Sequence, residues 1–472
     1  MCSNVQAVSR SQNSQIHTVD ANLQTAAQAN ALQMLPSRED LAWIRRFRLS
    51  IARDIPRLQE ICREELDKPA FETLMSDIVP LLDACRWHER HARSVLRPSR
   101  IRHGGIWRLG QRHVLTRRPI GHVAIIATWN YPYNLLGTQL VQAIAAGNRA
   151  TVKPSERSPL AHEALLAHAR EAGLDETRMT ATAATREAGI RLLECGQFDH
   201  VLFTGSTSVG RSIAATLADS LTPSTLELSG ADSALVLDDA DVQLAAESIY
   251  FAFSMNAGQS CMAPRRVIVE SGAFDSFVAA LRPLVNRVDQ ERRVGEQEAN
   301  RLREMLKQAS TQSPVVSAST FPTTGNKVAP AAVLECTPDS EIATGEHFAP
   351  AIAVLRSENR AQTISLAQSS VKSLTASVFT RNPAQARRIA HDLDAGFVTI
   401  NDCMVPTAHP GVSIGGRGLS GWGVSQGKLG LLEMTRPQFV SQTSPRLRIP
   451  TEPPSNKVQK NIHRFVRWWY TR

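Results

Sequence analysis

This chain of 472 residues is short of several things, and each scarcity excludes a class of function. No run of eighteen apolar residues occurs, so no segment reads as a helix that crosses a bilayer. The N-terminus lacks the charged-then-apolar order of a signal peptide, which makes a cytoplasmic location the expectation. Cys2, Cys62, Cys85, Cys195, Cys261, Cys336 and Cys403 are odd in number and widely spaced, with no CxxC pair. That pattern fits neither a disulfide framework nor a zinc site, so no metal is expected. Aromatics make up only 5% of the chain and the net charge of +9 is spread along it, which argues against a nucleic-acid partner. The local exception is the C-terminus, RLRIPTEPPSNKVQKNIHRFVRWWYTR, where Arg alternates with Phe465, Trp468, Trp469 and Tyr470. It suits peripheral contact with a membrane interface, or a tail that clasps a partner subunit.

What the chain does have is ordered alternation. Residues 1–37, rich in Gln, Ser, Ala and Asn, read as a flexible leader with at most a helix around Ala21–Met34. From Arg38 to about Ala92 the apolar spacing becomes helical and predicts two or three helices. A strand-like stretch, IWRLGQRHVLTRRPIGHVAIIAT, ends in the buried strand Val123–Ala127. Helix Leu135–Ala146, strand Ala150–Lys153, helix Leu160–Ala172, strand His200–Thr204 and helix Val209–Ala218 follow. A second alternating series runs from near Leu235 to about Asp402, and GGRGLSGWG at 415–423 is a loop by composition. Short apolar strands between helices predict parallel sheets covered on both faces, an α/β architecture. No internal repeat is present.

One stretch, FTGSTSVGRS (Phe203–Ser212), lies a single residue from a phosphate-cradling P-loop: Arg211 stands where Lys would be. The later ALVLDD (Ala234–Asp239) even supplies an apolar strand ending in Asp. Arg is planar and bulkier than Lys and does not replace it at such a site. The physics of the turn survives without the triphosphatase. A strand, a glycine turn and a helix start present open amides and the positive end of a dipole to an anion, and a dinucleotide pyrophosphate is one such anion.

Four further stretches use what a triphosphatase would leave unexplained: TWNYP (128–132), KPSE (153–156), LELSG (226–230) and NAGQSC (256–261). With GEHFAP (345–350), VTIND (398–402) and SIGGRGLSGWG (413–423) they follow in an order that resembles the aldehyde dehydrogenases. The resemblance runs from about Leu41 to the C-terminus and is strongest to the class 3, fatty and coniferyl aldehyde dehydrogenase branch. It implies a Rossmann-like cofactor domain over 38–228 with an arm hairpin at about 102–117. A catalytic α/β domain over 229–405 would follow, then a return segment, oligomerisation arm and tail over 406–472.

The chemistry implied needs a nucleophile, an oxyanion donor and a base. Cys261 matches the nucleophile, whose thiolate would form a thiohemiacetal and then a hydrolysable thioester. Asn130 matches the side-chain oxyanion donor, with the Cys261 amide as its partner. Glu227 matches the base that activates water, a task suited by a carboxylate whose pKa is raised by burial. For the cofactor, NAD with NADP possible, the resemblance implies Trp129, Lys153, Ser155 and Glu156. It also implies the turn Gly205, Ser206, Thr207, Ser208, Val209 and Gly210, then Leu228, Glu346 and Phe348. Tyr131, Met255 and His409 are candidates for the lining of an apolar aldehyde pocket, and a homodimer is the expected assembly. The alternatives are an acylating enzyme that releases its thioester to coenzyme A, against which Glu227 speaks, and a cofactor-binding protein with degraded catalysis. The latter is motivated by departures: Ser229 and Ala349 stand where the family has Gly, Gly345 where it has Glu, and Ser413–Ile414 where it has Pro-Phe.

Overall fold

Helical order begins where the sequence supplies a cap. Ser37 Oγ accepts from the Asp40 amide at 2.8 Å while the Asp40 carboxylate accepts from the Ser37 amide at 2.9 Å, a reciprocal capping box. Helix Arg38–Arg53 follows, then Ile55–Leu66. A third helix starts at Ala70–Thr73 and passes through a π turn, Leu74–Ile78, into Val79–Val95. These features come from a computed structural model that describes residues 36–102, 110–287, 291–318, 325–444 and 451–471. The leader as far as Leu35, the helix suggested around Ala21–Met34, residues 103–109 of the expected hairpin and residues 445–450 of the tail lie outside the described residues. Where described, the chain forms two compact units. One is drawn from Met1–Leu96 and Arg118–Arg436, the other from Arg97–Arg117 and Pro437–Arg472.

The first unit holds two mainly parallel sheets. In the first the strands run in the order Gly421–Trp422, Ser224–Leu228, His200–Gly205, His122–Ile126, Arg149–Lys153, Met179–Ala181. All neighbours are parallel except the edge pair Gly421–Trp422 and Ser224–Leu228. Val123 and Ile125 face the apolar sides of the N-terminal helices, where Trp43, Phe47, Leu58 and Leu81 are buried with them. From His122–Ile126 the chain winds one way to Arg149–Lys153 and Met179–Ala181, and then returns to the other side at His200–Gly205. Such a reversal opens a crevice beyond the carboxyl ends of the two central strands, where open α/β sheets bind ligands. Here those ends lead into Thr128–Asn130 and into Gly205–Ser206.

The run 415–423 differs from its reading as a loop: Gly421 and Trp422 pair antiparallel with Glu227 and Leu226 and close the sheet edge. Gly421 has φ +100°, and a Cβ there would stand 2.0 Å from the Leu226 carbonyl oxygen. Only glycine permits that approach.

The second sheet runs Val315–Ser317, Ala331–Val333, Ala351–Ser357, Arg266–Glu270, Ser233–Val236, Thr375–Phe379, Phe397–Ile400. Only Val315–Ser317 is antiparallel to its neighbour. Its central strands are buried along their whole length, as sheets covered on both faces require. The α/β class expected from the alternation is the one found.

The second unit carries most of a three-stranded sheet with Gln111–Pro119 between Ser99–Ile101 and Thr435–Thr443. Thr116 Oγ1 donates to the Gln438 carbonyl at 3.1 Å. The outer strand Thr435–Thr443 is exposed at every position after the first. A helix, Asn456–Tyr470, ends the described chain.

Candidate active site

Cys261 follows a turn that few residues tolerate. Asn256, Ala257 and Gly258 have φ of +51°, +52° and +70°, three left-handed residues in a row. Such backbone persists only where its surroundings over-determine it. A Cβ on Gly258 would lie 2.4 Å from the Ala349 carbonyl carbon, so this glycine is required twice over. The buried Arg265 guanidinium clamps the turn, donating to the carbonyls of Gly258 at 2.8 Å, Ser260 at 3.0 Å and Ala349 at 2.9 Å. Burial lowers the Arg265 pKa to about 10, with Asp232 acting in the opposite sense.

The Cys261 thiol is pushed up to about 12, first by burial and then by the Glu227 and Asp232 carboxylates. It is therefore a thiol and not a thiolate at neutral pH. Glu227 closes strand Ser224–Leu228 and is buried. Its carboxylate accepts from Thr204 Oγ1 at 3.2 Å and from the Ser425 hydroxyl. Burial raises its pKa above the ordinary carboxylate value, and the two hydroxyl donors oppose that rise.

Asn130 is locked from both ends. Its Nδ2 donates to the Gln259 carbonyl at 3.0 Å, and its Oδ1 accepts from Thr128 Oγ1 at 3.2 Å. Its own carbonyl accepts from Asn256 Nδ2 at 3.0 Å and from Lys68 Nζ at 3.3 Å. Lys68 is wholly buried and pairs with the equally buried Asp77 at 3.3 Å. The loop that carries Cys261 and the loop that carries Asn130 are thus one hydrogen-bonded body.

These residues open onto a cleft of about 930 Å³. Cys261, Glu227 and Asn130 line it together with Trp129, Lys153, Ser155, Glu156, Gly205, Ser206, Val209, Glu346 and Phe348. Lys153 Nζ donates to Glu156 at 2.5 Å on one wall. The helix Thr207–Ser220 begins at the cleft, capped by Ser206, whose Oγ accepts from the Val209 amide at 3.4 Å. Trp129 meets Phe348 edge-on at 5.8 Å and carries the Arg157 guanidinium over its ring at 3.7 Å. The Glu346 carboxylate pairs with Lys372.

Thr207, Ser208, Gly210 and Leu228 support the cleft without lining it. Gly210 packs its helix onto the sheet: a Cβ there would lie 2.5 Å from a Leu228 methyl. Thr207 Oγ1 donates to the Leu419 carbonyl at 3.3 Å, and Ser208 Oγ meets Ser206 Oγ at 3.1 Å.

Tyr131, Met255 and His409 are not brought to the cleft wall. Tyr131 is buried beneath Lys68, whose Nζ lies 4.2 Å from the ring centre. Met255 packs against the core of the second sheet, and His409 is exposed, its Nδ1 accepting from the Gly411 amide at 3.1 Å.

The departures fall differently. Ser229 does line the cleft. The Ala349 side chain belongs to a buried apolar cluster with Ala257 and Ala351. At Gly345 a Cβ would meet the Met305 methyl at 2.4 Å. Ile414 bridges Ser425 through two backbone hydrogen bonds of 2.9 and 2.8 Å, which sets Ser425 beside Glu227. Lys68, Arg157, Arg265 and Ser425 are the site residues that motif reading missed. Arg157, next to KPSE, was open to it; the other three act from parts of the sequence that carry no motif.

A profile described as the aldehyde dehydrogenase family matches residues 3–440. A probable coniferyl aldehyde dehydrogenase of Pseudomonas aeruginosa is 28% identical over 467 residues, 96% of this chain and 97% of its own. The dimeric, NADP-preferring aldehyde dehydrogenase of Rattus norvegicus is 31% identical over 316 residues, 66% of this chain and 69% of its own. The crystal structure of an aldehyde dehydrogenase of Mycobacterium tuberculosis complexed with NAD+ superposes with a TM-score of 0.80 at 25% identity, covering 91% of each chain.

Proposed function

The chain belongs to the aldehyde dehydrogenase family, and from that premise we propose that it oxidises an apolar aldehyde, medium- to long-chain or aromatic, to the acid with NAD or NADP. The observation that carries the reading is convergence. A cysteine on a clamped turn, a buried carboxylate and an anchored amide open onto one cleft at the point where the strand order reverses.

The cleft suits a dinucleotide by its donor set. The open amides at the start of helix Thr207–Ser220, beside the side-chain-free Gly205, favour a pyrophosphate. Lys153 and Glu156 supply a cation and a carboxylate for ribose hydroxyls. Trp129, Phe348 and Glu346 lie in the wall where a nicotinamide and its ribose would be received. The cofactor, when bound, supplies the hydride acceptor.

The residues then divide the work. Once its thiol proton has left to solvent water, Cys261 Sγ adds to the aldehyde carbon, and the carbonyl oxygen becomes an oxyanion. An amide nitrogen carries two hydrogens; Gln259 takes one from Asn130, and the other serves the oxyanion. Loss of hydride from the same carbon leaves a thioester on Cys261. Glu227 removes a proton from water as the water attacks that thioester, and the acid departs with the Cys261 thiol restored.

The substrate class follows the Pseudomonas relative, which is named for coniferyl aldehyde. A homodimer agrees with the rat relative's name and with the long exposed edge strand Thr435–Thr443, a ready template for pairing. A panel of aliphatic, aromatic and short polar aldehydes, followed by reduced-nicotinamide absorbance, tests the class. Fastest turnover of apolar members is expected, and fastest turnover of short polar ones would overturn it.

A further inference from the structure

The helix Asn456–Tyr470 has no buried residue, and its two faces differ sharply. At 100° per residue, Val458, Ile462, Phe465 and Trp469 fall on one stripe, and each is exposed by 41% or more. Phe465, Trp468 and Trp469 gather their rings within 5.8 to 6.2 Å of one another at the C-terminal end. The opposite arc carries Lys457, Lys460, Arg464 and Arg467, and the helix has no acidic residue.

Length decides between spanning a bilayer and lying on it. Fifteen residues rise about 22 Å, short of the roughly 30 Å hydrocarbon core. Among the described residues no helix is long and apolar enough to cross a membrane. An interfacial helix has a different signature: an aromatic and aliphatic face, a polar face rich in Lys and Arg, and low net hydrophobicity. This helix has all three.

Charge decides between lipid and a second copy of the chain. Two such helices packed through their apolar stripes would leave all four cations of each on the outer face, with no carboxylate in the helix to pair them. An anionic lipid surface meets the same four cations with opposite charge. We propose that the helix Asn456–Tyr470 docks this enzyme in the plane of an anionic membrane surface, with Phe465 and Trp469 in the acyl boundary and Arg464 and Arg467 among the phosphates.

The test is sedimentation of the full-length protein with vesicles of phosphatidylcholine alone and of phosphatidylcholine mixed with phosphatidylglycerol. Binding to the anionic vesicles, weakened by added salt, is expected, with little binding to the neutral ones. Each cation near an anionic surface contributes about a factor of five, so Arg464→Gln with Arg467→Gln should lower the partition about thirtyfold. Phe465→Ser with Trp469→Ser should lower it further. Both variants should keep the parent's turnover of a water-soluble aldehyde, which checks their folding. If one variant is lost to misfolding, the other and the comparison of lipids still decide. Full-length protein left in the supernatant with both lipids overturns the proposal, and so does equal, salt-insensitive binding to both. Variants that shift the protein from dimer to monomer, with no vesicle binding by the parent, would instead assign the helix to a subunit contact.

Discussion

Ser425 donates its hydroxyl to the carboxylate of Glu227, a residue 198 positions earlier in the chain. The two meet because Gly421 and Trp422 pair with strand Ser224–Leu228 and because Ile414 holds Ser425 by its backbone. A hydroxyl donated to a carboxylate favours the charged form. It therefore restrains a pKa that burial alone would carry higher. In Ser425→Ala the Glu227 pKa should rise, and the acid limb of the kcat profile should move to higher pH. The plateau above that limb should change little. A pH profile of wild type and variant reads this directly; an unmoved limb would show that Glu227 is not the titrating base.

The Cys261 thiol, lifted to about 12, should be a poor nucleophile at neutral pH before cofactor binds. Only the thiolate reacts, so alkylation of Cys261 by iodoacetamide should climb about tenfold per pH unit through the alkaline range. Peptide mass spectrometry resolves this cysteine from the other six. A rate already level near the ordinary thiol pKa would contradict the role given to burial and to the two carboxylates.

Lys68 lies far from any motif, yet its ammonium is shared between Asp77 and the Asn130 carbonyl. Lys68→Ala would strand a buried carboxylate, at a cost of about 3–5 kcal/mol. The double variant Lys68→Met/Asp77→Asn should recover much of that stability but not kcat, since the Asn130 carbonyl still loses a donor. Thermal unfolding and turnover on the same preparations separate the two effects. Recovery of kcat together with stability would reduce Lys68 to a structural role.

The fold was legible because its signals are local. Short apolar strands between helical segments announced parallel sheets, and TWNYP, KPSE and the turn at Gly205 fell at the strand ends that the topology turns into a cleft. What stayed hidden depends on long-range packing. Nothing around Lys68 marks it as the support of a residue 62 positions away. Composition read 415–423 as loop because glycine signals flexibility, whereas here glycine makes room for a strand to close the sheet. Tyr131, a candidate for the pocket lining, is instead buried next to Asn130, which does line the cleft.

Cys261 is the group proposed to bond to substrate. The measurement that tests it most directly follows reduced-nicotinamide absorbance for wild type and Cys261→Ser with NAD or NADP and an apolar aldehyde, each protein first shown to bind cofactor. Turnover in wild type that disappears in Cys261→Ser is the predicted result. Turnover that survives the substitution, or no turnover from a wild type that binds cofactor, would contradict it.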